Sequence, residues 1–211
     1  MPRAVQLRFH ECQPKIPPMT PDDIARRFQE SGKVKMQFVH AHADRMVTVA
    51  ALLSETVRSG RKILLFGNGG SATDASHIAA EFVGRYERDR MPLPALSLHA
   101  DGAAVTCIAN DYGYTDVFAR QIDALGCTGD VAIAISTSGR SPNVVKGVEV
   151  ARRKGLVTVG WTGKDGGALA TLVDYLFLVP SHVTARIQEC HITLGHVLCE
   201  MVEESLVAHA S

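Results

Sequence analysis

The sequence lacks any C-x-x-C pair, and its five cysteines are an odd number. A disulfide framework or a zinc knuckle is therefore not expected, and reduced thiols in the cytoplasm are the simplest interpretation. Two of the cysteines, Cys107 and Cys199, fall in helical patterns and are predicted to be core thiols. No apolar run approaches the roughly 20 residues that span a bilayer, so no membrane partner is predicted.

The chain also lacks an excess of charge of either sign, because Lys+Arg and Asp+Glu both number 22. A chain-wide basic surface for nucleic acid is therefore not indicated. Any site for an anion must be built locally, from backbone amides, hydroxyl groups or a few placed cations.

The first residues have no continuous apolar core of the kind found in a signal peptide, since Glu11, Pro14, Pro17 and Pro18 interrupt them. Residues 1–19 are predicted to be a flexible tail. A helical pattern follows from Pro21 to about residue 59, with Thr20 as N-cap.

Within this helical stretch, Gly32 is expected to separate a short helix from a long one. The long amphipathic helix is predicted to pack against another subunit, the alternative being that it packs on its own domain.

From residue 60 onward, short apolar runs alternate with helical patterns. This alternation predicts a single α/β domain over residues 20–211, with a doubly wound, flavodoxin-like, five-stranded parallel sheet and an added N-terminal helical segment. Ligands of such sheets bind beyond the carboxyl ends of the strands. The predicted strands are 62–66, 94–98, 131–135, 157–161 and 175–179.

A serine-rich loop follows the third predicted strand and opens a helix. Exposed N–H groups and the helix dipole at such a position attract an anion, and hydroxyl groups add hydrogen-bond donors. Capping alone does not require so many hydroxyls, so the loop predicts a phosphate site that needs neither metal nor lysine. Its hydroxyl residues are Ser136, Thr137, Ser138 and Ser141, with Pro142 in the first helical turn.

A glycine-rich loop, residues 67–71, follows the first predicted strand. Glycines allow close approach of the backbone to a ligand, and Ser71 with Asp74 resembles a capping pair. The order is not G-x-G-x-x-G, and no acidic residue stands in the ribose position, so dinucleotide binding is a poor interpretation.

Acid–base candidates lie on two predicted helices. His77 and Glu81 are four residues apart and share a helix face. Gln188 and His196 are eight apart on the last helix and can face one cleft, with His191 as a competing histidine. A carboxylate and an imidazole beside a phosphate site suit proton transfer next to a carbonyl, and His77, Glu81, Gln188 and His196 would equally suit a metal. The residues alone leave both options open.

Several segments together closely resemble the phosphoheptose isomerases of the sugar isomerase (SIS) family. The resemblance runs from about residue 20 to 208, with the motifs in order. They are Gly67–Ser71, His77–Phe82, Ala109–Tyr114, Gly129–Val131, Ser136–Ser141, Thr162–Gly163, Asp165–Gly167 and Arg186–Glu189 followed by His196.

The resemblance implies an aldose–ketose isomerase that converts D-sedoheptulose 7-phosphate to D-glycero-D-manno-heptose 7-phosphate through an enediol, at the start of activated heptose synthesis. It implies Glu81 as base and His196 as its acid–base partner, in a homotetramer where the two could meet from different chains. It also implies one zinc ion per subunit on His77, Glu81, Gln188 and His196. The implied substrate-binding residues are Asn68, Gly69, Gly70, Glu81, Asn110, Asp111, Ser136, Thr137, Ser138, Ser141 and Gln188.

Two related functions remain as alternatives. Non-catalytic SIS proteins bind the bacterial replication initiator, but the positions matching Glu81 and His196 in that group are not Glu and His. An amino-sugar phosphate isomerase would use the same phosphate loop. The Asn110–Gly113 and Arg186–Glu189 segments favour heptose.

Overall fold

The computed structural model describes residues 18–207. The predicted tail of residues 1–19 therefore lies outside the described residues, apart from Pro18 and Met19. Helices and strands alternate through most of the chain, and a 3-10 turn at Tyr114–Asp116 precedes α4. The elements are α1 Pro21–Arg58, β1 Ile63–Gly67, α2 Gly70–Val83, β2 Ala95–Ser97, α3 Gly102–Tyr112, α4 Val117–Leu125, β3 Val131–Ser136, α5 Pro142–Arg153, β4 Val157–Gly163, α6 Leu169–Leu172, β5 Tyr175–Val179 and α7 Thr184–Val207.

All five strands are parallel and lie in the order β2-β1-β3-β4-β5. This order confirms the predicted doubly wound sheet. β1 and β3 are neighbours in register, with Gly67 opposite Ile135. Because the carboxyl ends of parallel strands lie on one edge, the loops that follow β1 and β3 come together there.

Alternate residues of β1 divide the core into two layers. Ile63 and Leu65 pack with α1, α2 and α7, while Leu64 and Phe66 pack with α4 and α5 on the other face. Successive side chains of a strand point to opposite faces, so a wholly apolar strand must be covered on both sides.

The long first helix is continuous, which corrects the prediction that Gly32 divides it. Thr20 caps its start, with the Thr20 hydroxyl and the Asp23 carboxylate bonded to each other's backbone N–H groups. A glycine inside a helix costs only about 1 kcal/mol relative to alanine, less than this cap and the burial of Val34 and Phe38 contribute.

α1 also closes the outer edge of the sheet. His42 Nε2 lies 3.1 Å from the Leu178 carbonyl oxygen of edge strand β5, and Arg45 donates to the Leu176 carbonyl at 2.5 Å. These side chains satisfy carbonyl groups that an uncovered edge would expose. None of the helices in the described range combines the length and apolarity that crossing a bilayer requires.

Candidate active site

A cavity of about 240 Å³ opens between the loops that follow β1 and β3. It lies at the carboxyl edge of the sheet, where the topology predicts a ligand. We call it the serine cavity. Its lining residues are Asn68, Ser71, Ile135, Ser136, Thr137, Ser141, Thr184 and Gln188.

The hydroxyl groups of the serine cavity are available to a ligand. Ser141 is the N-cap residue of α5, but its side chain makes no capping hydrogen bond. Its Oγ lies instead 3.1 Å from Ser136 Oγ. Ser138 is not among the residues that line the cavity, so its part in phosphate binding stays a prediction; its hydroxyl accepts the Arg140 backbone N–H at 3.2 Å.

Glycines allow the loop after β1 to approach α7 closely. Gly69 is the N-cap residue of α2 and has a φ of 57°, in the left-handed region. A Cβ atom on Gly70 would overlap the Gln188 amide. The predicted Ser71 cap is wrong, because α2 begins one residue earlier and Ser71 is buried inside it.

The side chain of Asn68 is held by partners that the sequence analysis missed. Asn68 and buried Asn143 exchange two amide hydrogen bonds, each 2.9 Å long, and the Tyr114 hydroxyl donates to Asn68 Oδ1 at 3.2 Å. Asn143 lies in the first turn of α5, so this pair ties the glycine loop to the serine loop.

Three further site residues come together where α2 passes α7. His77 Nε2 lies 3.1 Å from Glu81 Oε1 and 3.2 Å from His196 Nε2. We call this group the His–Glu–His cluster. A single chain assembles it, so Glu81 and His196 do not need to meet from different chains.

The donor set of the cluster fits a zinc ion. Imidazole nitrogen and carboxylate oxygen are ordinary zinc ligands, and zinc–nitrogen bonds of roughly 2.0–2.1 Å in a tetrahedron separate neighbouring ligand atoms by about 3.3 Å. The two separations in the cluster are close to that value, and all three ligand atoms lie within 4.8 Å of one another. The Gln188 amide lies beside Gly70, so its role as a fourth ligand stays a prediction.

Helices α2 and α7 run side by side in the same direction. Gly70 is next to Gln188 at their starts, and His77 is next to His196 further along. His77 is seven positions after Gly70, a rise of about 10 Å along the axis of α2, so the cluster lies further along the two helices than the serine cavity. A phosphate bound in the cavity and a carbon atom near the cluster can therefore belong to one elongated ligand.

Burial shifts the pKa values of two further titratable groups on α2 and α7, Asp74 and His191. It raises the pKa of Asp74, one turn before His77, to about 6, although the nearby His77 lowers it. Burial also lowers the pKa of His191 to about 4, and His191 Nε2 lies 3.3 Å from the Thr162 carbonyl oxygen. His191 is thus a core residue that lies against β4, and His196 is the histidine of the cluster.

Asn110 and Asp111 lie at the exposed end of α3. Asn110 donates to Asp111 at 2.7 Å, and the Cys107 thiol lies 3.6 Å from the same carboxylate. Their role as ligands of the sugar stays a prediction. Tyr114, three residues after Asp111, donates to Asn68 and so connects this segment to the glycine-rich loop. Cys107 is exposed, which corrects its prediction as a core thiol, whereas Cys199 is buried as expected.

Comparisons with known proteins agree in sequence and in fold. Residues 27–163 match the SIS domain family. A phosphoheptose isomerase from Aquifex aeolicus is 51% identical over 183 residues, covering 87% of this chain and 96% of the relative. One from Thermodesulfovibrio yellowstonii is 54% identical over 185 residues, covering 88% and 92%.

Solved structures give the same result. A phosphoheptose isomerase from Neisseria gonorrhoeae superposes with a TM-score of 0.82 and 41% identity, over 87% of this chain and 98% of the other. One from Francisella tularensis has a TM-score of 0.84 and 34% identity, over 88% and 100%. The similarity covers nearly the full length of each relative.

Proposed function

The chain belongs to the SIS domain family and, within it, to the phosphoheptose isomerases. We propose which of its residues bind the seven-carbon sugar phosphate and which carry out its isomerisation. The substrate is D-sedoheptulose 7-phosphate and the product D-glycero-D-manno-heptose 7-phosphate, the first step of activated heptose synthesis. The observation that carries the proposal is the alignment of α2 and α7, which connects an anion site to an acid–base cluster.

The serine cavity holds the phosphate. Ser136, Thr137, Ser138 and Ser141 donate hydrogen bonds to its oxygens, and the N-terminal N–H groups of α5 add the favourable end of a helix dipole. This cradle is neutral, so it binds the anion through hydrogen bonds and dipoles.

The sugar lies between the cavity and the cluster. The polar and backbone groups around this path bind its hydroxyls and keep the chain extended. They are Asn68, Gly69, Gly70, Asn110, Asp111 and Gln188.

Glu81 is the base that moves the proton. Its carboxylate takes a proton from C1 of the ketose and returns it to C2, with an enediol between the two steps. Glu81 Oε1 faces His77, so the second carboxylate oxygen can face the substrate. His196 exchanges a proton with the oxygens of C1 and C2, whose charges change as the carbonyl moves from one carbon to the other.

A zinc ion would be held by His77, Glu81, Gln188 and His196. Its chemistry would be that of a Lewis acid that polarises the sugar carbonyl and stabilises negative charge on the enediolate. The donor types and the spacing of the cluster support His77, Glu81 and His196 as ligands. Gln188 is proposed as the fourth ligand on the resemblance alone.

We also propose a cytoplasmic homotetramer. Apolar side chains remain exposed along α1, including Phe28 at 77% and Val47 at 59%. None of the residues of α3 is buried, although the helix is largely apolar. Surfaces of this kind are typical of contacts between subunits. The four described cysteines are free thiols, which suits a reducing compartment.

The test is to incubate the purified protein with sedoheptulose 7-phosphate and to follow formation of the aldose. Unphosphorylated sedoheptulose is the matched control and should react far more slowly, because it has no group for the serine cavity. Equal turnover of both sugars would contradict the phosphate role, and no turnover of either would contradict the proposed reaction.

A further inference from the structure

We infer that His99 is a positioning residue for the sugar-binding loop, because its side chain holds the Gly67 carbonyl that begins residues 67–70. His99 Nε2 lies 2.5 Å from the Gly67 carbonyl oxygen. The inference rests on the proposed function and adds to it a residue on the side of the loop away from Asn143.

The Gly67 carbonyl needs a side-chain partner because β2 is shorter than β1. The last pair between these strands is Leu65 with Ser97, and the Leu98 N–H then donates to the Leu65 carbonyl at 3.0 Å. Gly67 is two residues further along, so it faces the same edge of β1. β2 ends at Ser97, short of this position, and the imidazole of His99 takes the place of a backbone donor.

A second set of hydrogen bonds fixes the ring of His99. Its Nδ1 lies 3.1 Å from Ser97 Oγ, and Ser97 Oγ lies 3.0 Å from Ser76 Oγ. Since Nε2 faces a carbonyl, it must carry the proton, and Nδ1 must accept one from Ser97. The Ser76 hydroxyl then donates to Ser97, so the hydrogen bonds run in one direction from α2 to the loop.

The surroundings of His99 support a neutral ring. The ring meets Phe118 edge to face, with 5.1 Å between centroids. Burial lowers the pKa of His99, against a smaller opposite effect of its bond to Gly67. A neutral imidazole has one donor and one acceptor, which matches its two partners.

Residues 67–70 are therefore held by hydrogen bonds on two sides. Asn143 and Tyr114 hold the side chain of Asn68, while His99 holds the backbone just before it. Loss of the His99 contact would leave a carbonyl without its partner and would let the peptide between residues 67 and 68 rotate. The effect should fall on binding of the sugar and leave the His–Glu–His cluster intact.

The first test compares two substitutions at this position. His99→Leu removes the donor at similar volume, and we expect KM for sedoheptulose 7-phosphate to rise about tenfold, the effect of one buried hydrogen bond. kcat should stay within about threefold of wild type, since Glu81 and His196 are untouched. His99→Gln keeps an N–H donor near the Nε2 position and should recover most of the affinity.

A wild-type KM in His99→Leu, or no recovery in His99→Gln, would overturn the inference. Zinc affinity, titrated directly, should be the same in all three proteins, and a loss in His99→Leu would overturn the claim that only the loop is affected. If His99→Leu does not fold, Ser97→Ala is the substitute, because it removes only the hydroxyl that fixes the ring. It should raise KM by a smaller factor, and an unchanged KM would count against the inference.

Hydrogen–deuterium exchange separates this inference from the proposed function. The amides of residues 68–71 should exchange faster in His99→Leu than in wild type or His99→Gln, whether or not the protein turns over the sugar. Absent turnover by the wild type would reject the reaction alone, whereas unchanged exchange in His99→Leu would reject the positioning role alone.

Discussion

His77 and His196 are 119 residues apart in the chain, and their Nε2 atoms lie 3.2 Å from each other. One histidine comes from α2 and the other from α7, and their rings meet edge to face at 5.0 Å between centroids. Two nitrogen atoms at this separation either share one proton or face a common cation. The arrangement gives the site its chemical character.

Replacement of the proposed base should abolish most turnover without unfolding the protein. Glu81→Gln keeps the shape of the side chain but cannot accept the proton, and we expect kcat to fall by about 10²–10⁴-fold. The measurement is the rate of aldose formation, with circular dichroism to verify the fold. Glu149→Gln, on an exposed position of α5, is the control and should be as active as wild type. A near-normal rate in Glu81→Gln would show that another group is the base.

Loss of a cavity hydroxyl should weaken substrate binding more than catalysis. Ser141→Ala removes a donor from the serine cavity, and we expect KM to rise about tenfold, as for one hydrogen bond to a charged group. Ser138→Ala should raise KM by less, because Ser138 is not among the residues that line the serine cavity. Steady-state kinetics on both variants decides the order, and an unchanged KM in Ser141→Ala would remove it from the phosphate site.

Metal binding should depend on both histidines of the cluster. His77→Ala and His196→Ala should each weaken zinc binding by at least about 100-fold, since each removes a ligand of the ion. Competition with a chromophoric chelator measures the affinity of metal-free protein. Exposed His182→Ala is the control, and Gln188→Ala tests the fourth ligand. Wild-type affinity in His77→Ala would mean that the cluster is not the zinc site.

The buried histidine should make the fold sensitive to acid. The pKa of His191 is about 4 in the folded chain against 6.5 unfolded. Between these values the unfolded chain binds the proton and the folded chain does not, so stability falls as the pH drops. The cost is about 2 kcal/mol at pH 5.

Chemical denaturation of metal-free protein at pH 7 and pH 5 measures this loss. His191→Leu should show a smaller drop in unfolding free energy between the two pH values, and His182→Leu should resemble wild type. Equal drops in wild type and His191→Leu would assign the acid sensitivity to other groups.

The exposed face of α1 should be needed for assembly. Light scattering of wild type should give four times the chain mass of 22.7 kDa. Phe28→Glu places a charge on this face and should reduce the mass, because a buried unpaired charge is costly. An unchanged tetramer would exclude Phe28 from the contacts between subunits, and a monomeric wild type would reject the assembly altogether.

Local patterns predicted most of the fold. Apolar runs located the strands to within about a residue or two, and Thr20 before Pro21 located the start of α1. The missed helix α4 has a clear signal in hindsight, since Val117, Phe118, Gln121 and Ile122 recur at helical spacing and are buried. The predicted break at Gly32 was wrong because the low helix propensity of glycine is a weak local effect that tertiary packing overrides.

The site was predictable only as far as neighbours in sequence define it. His77 with Glu81, and the serine loop, are local patterns. The partners of Asn68 and Gly67 are Asn143 and His99, which are 75 and 32 residues away. Such pairs depend on the order of the strands and on the short length of β2, neither of which a local pattern contains.

The shared direction of α2 and α7 has a consequence for substrate choice. A ligand anchored by its phosphate at the start of both helices has to extend two turns along them before its first carbon reaches His77, Glu81 and His196. A shorter sugar phosphate would bind in the same cradle and end before the reactive groups. With the phosphate bound as proposed, the distance along the two helices would select for carbon-chain length without a steric block.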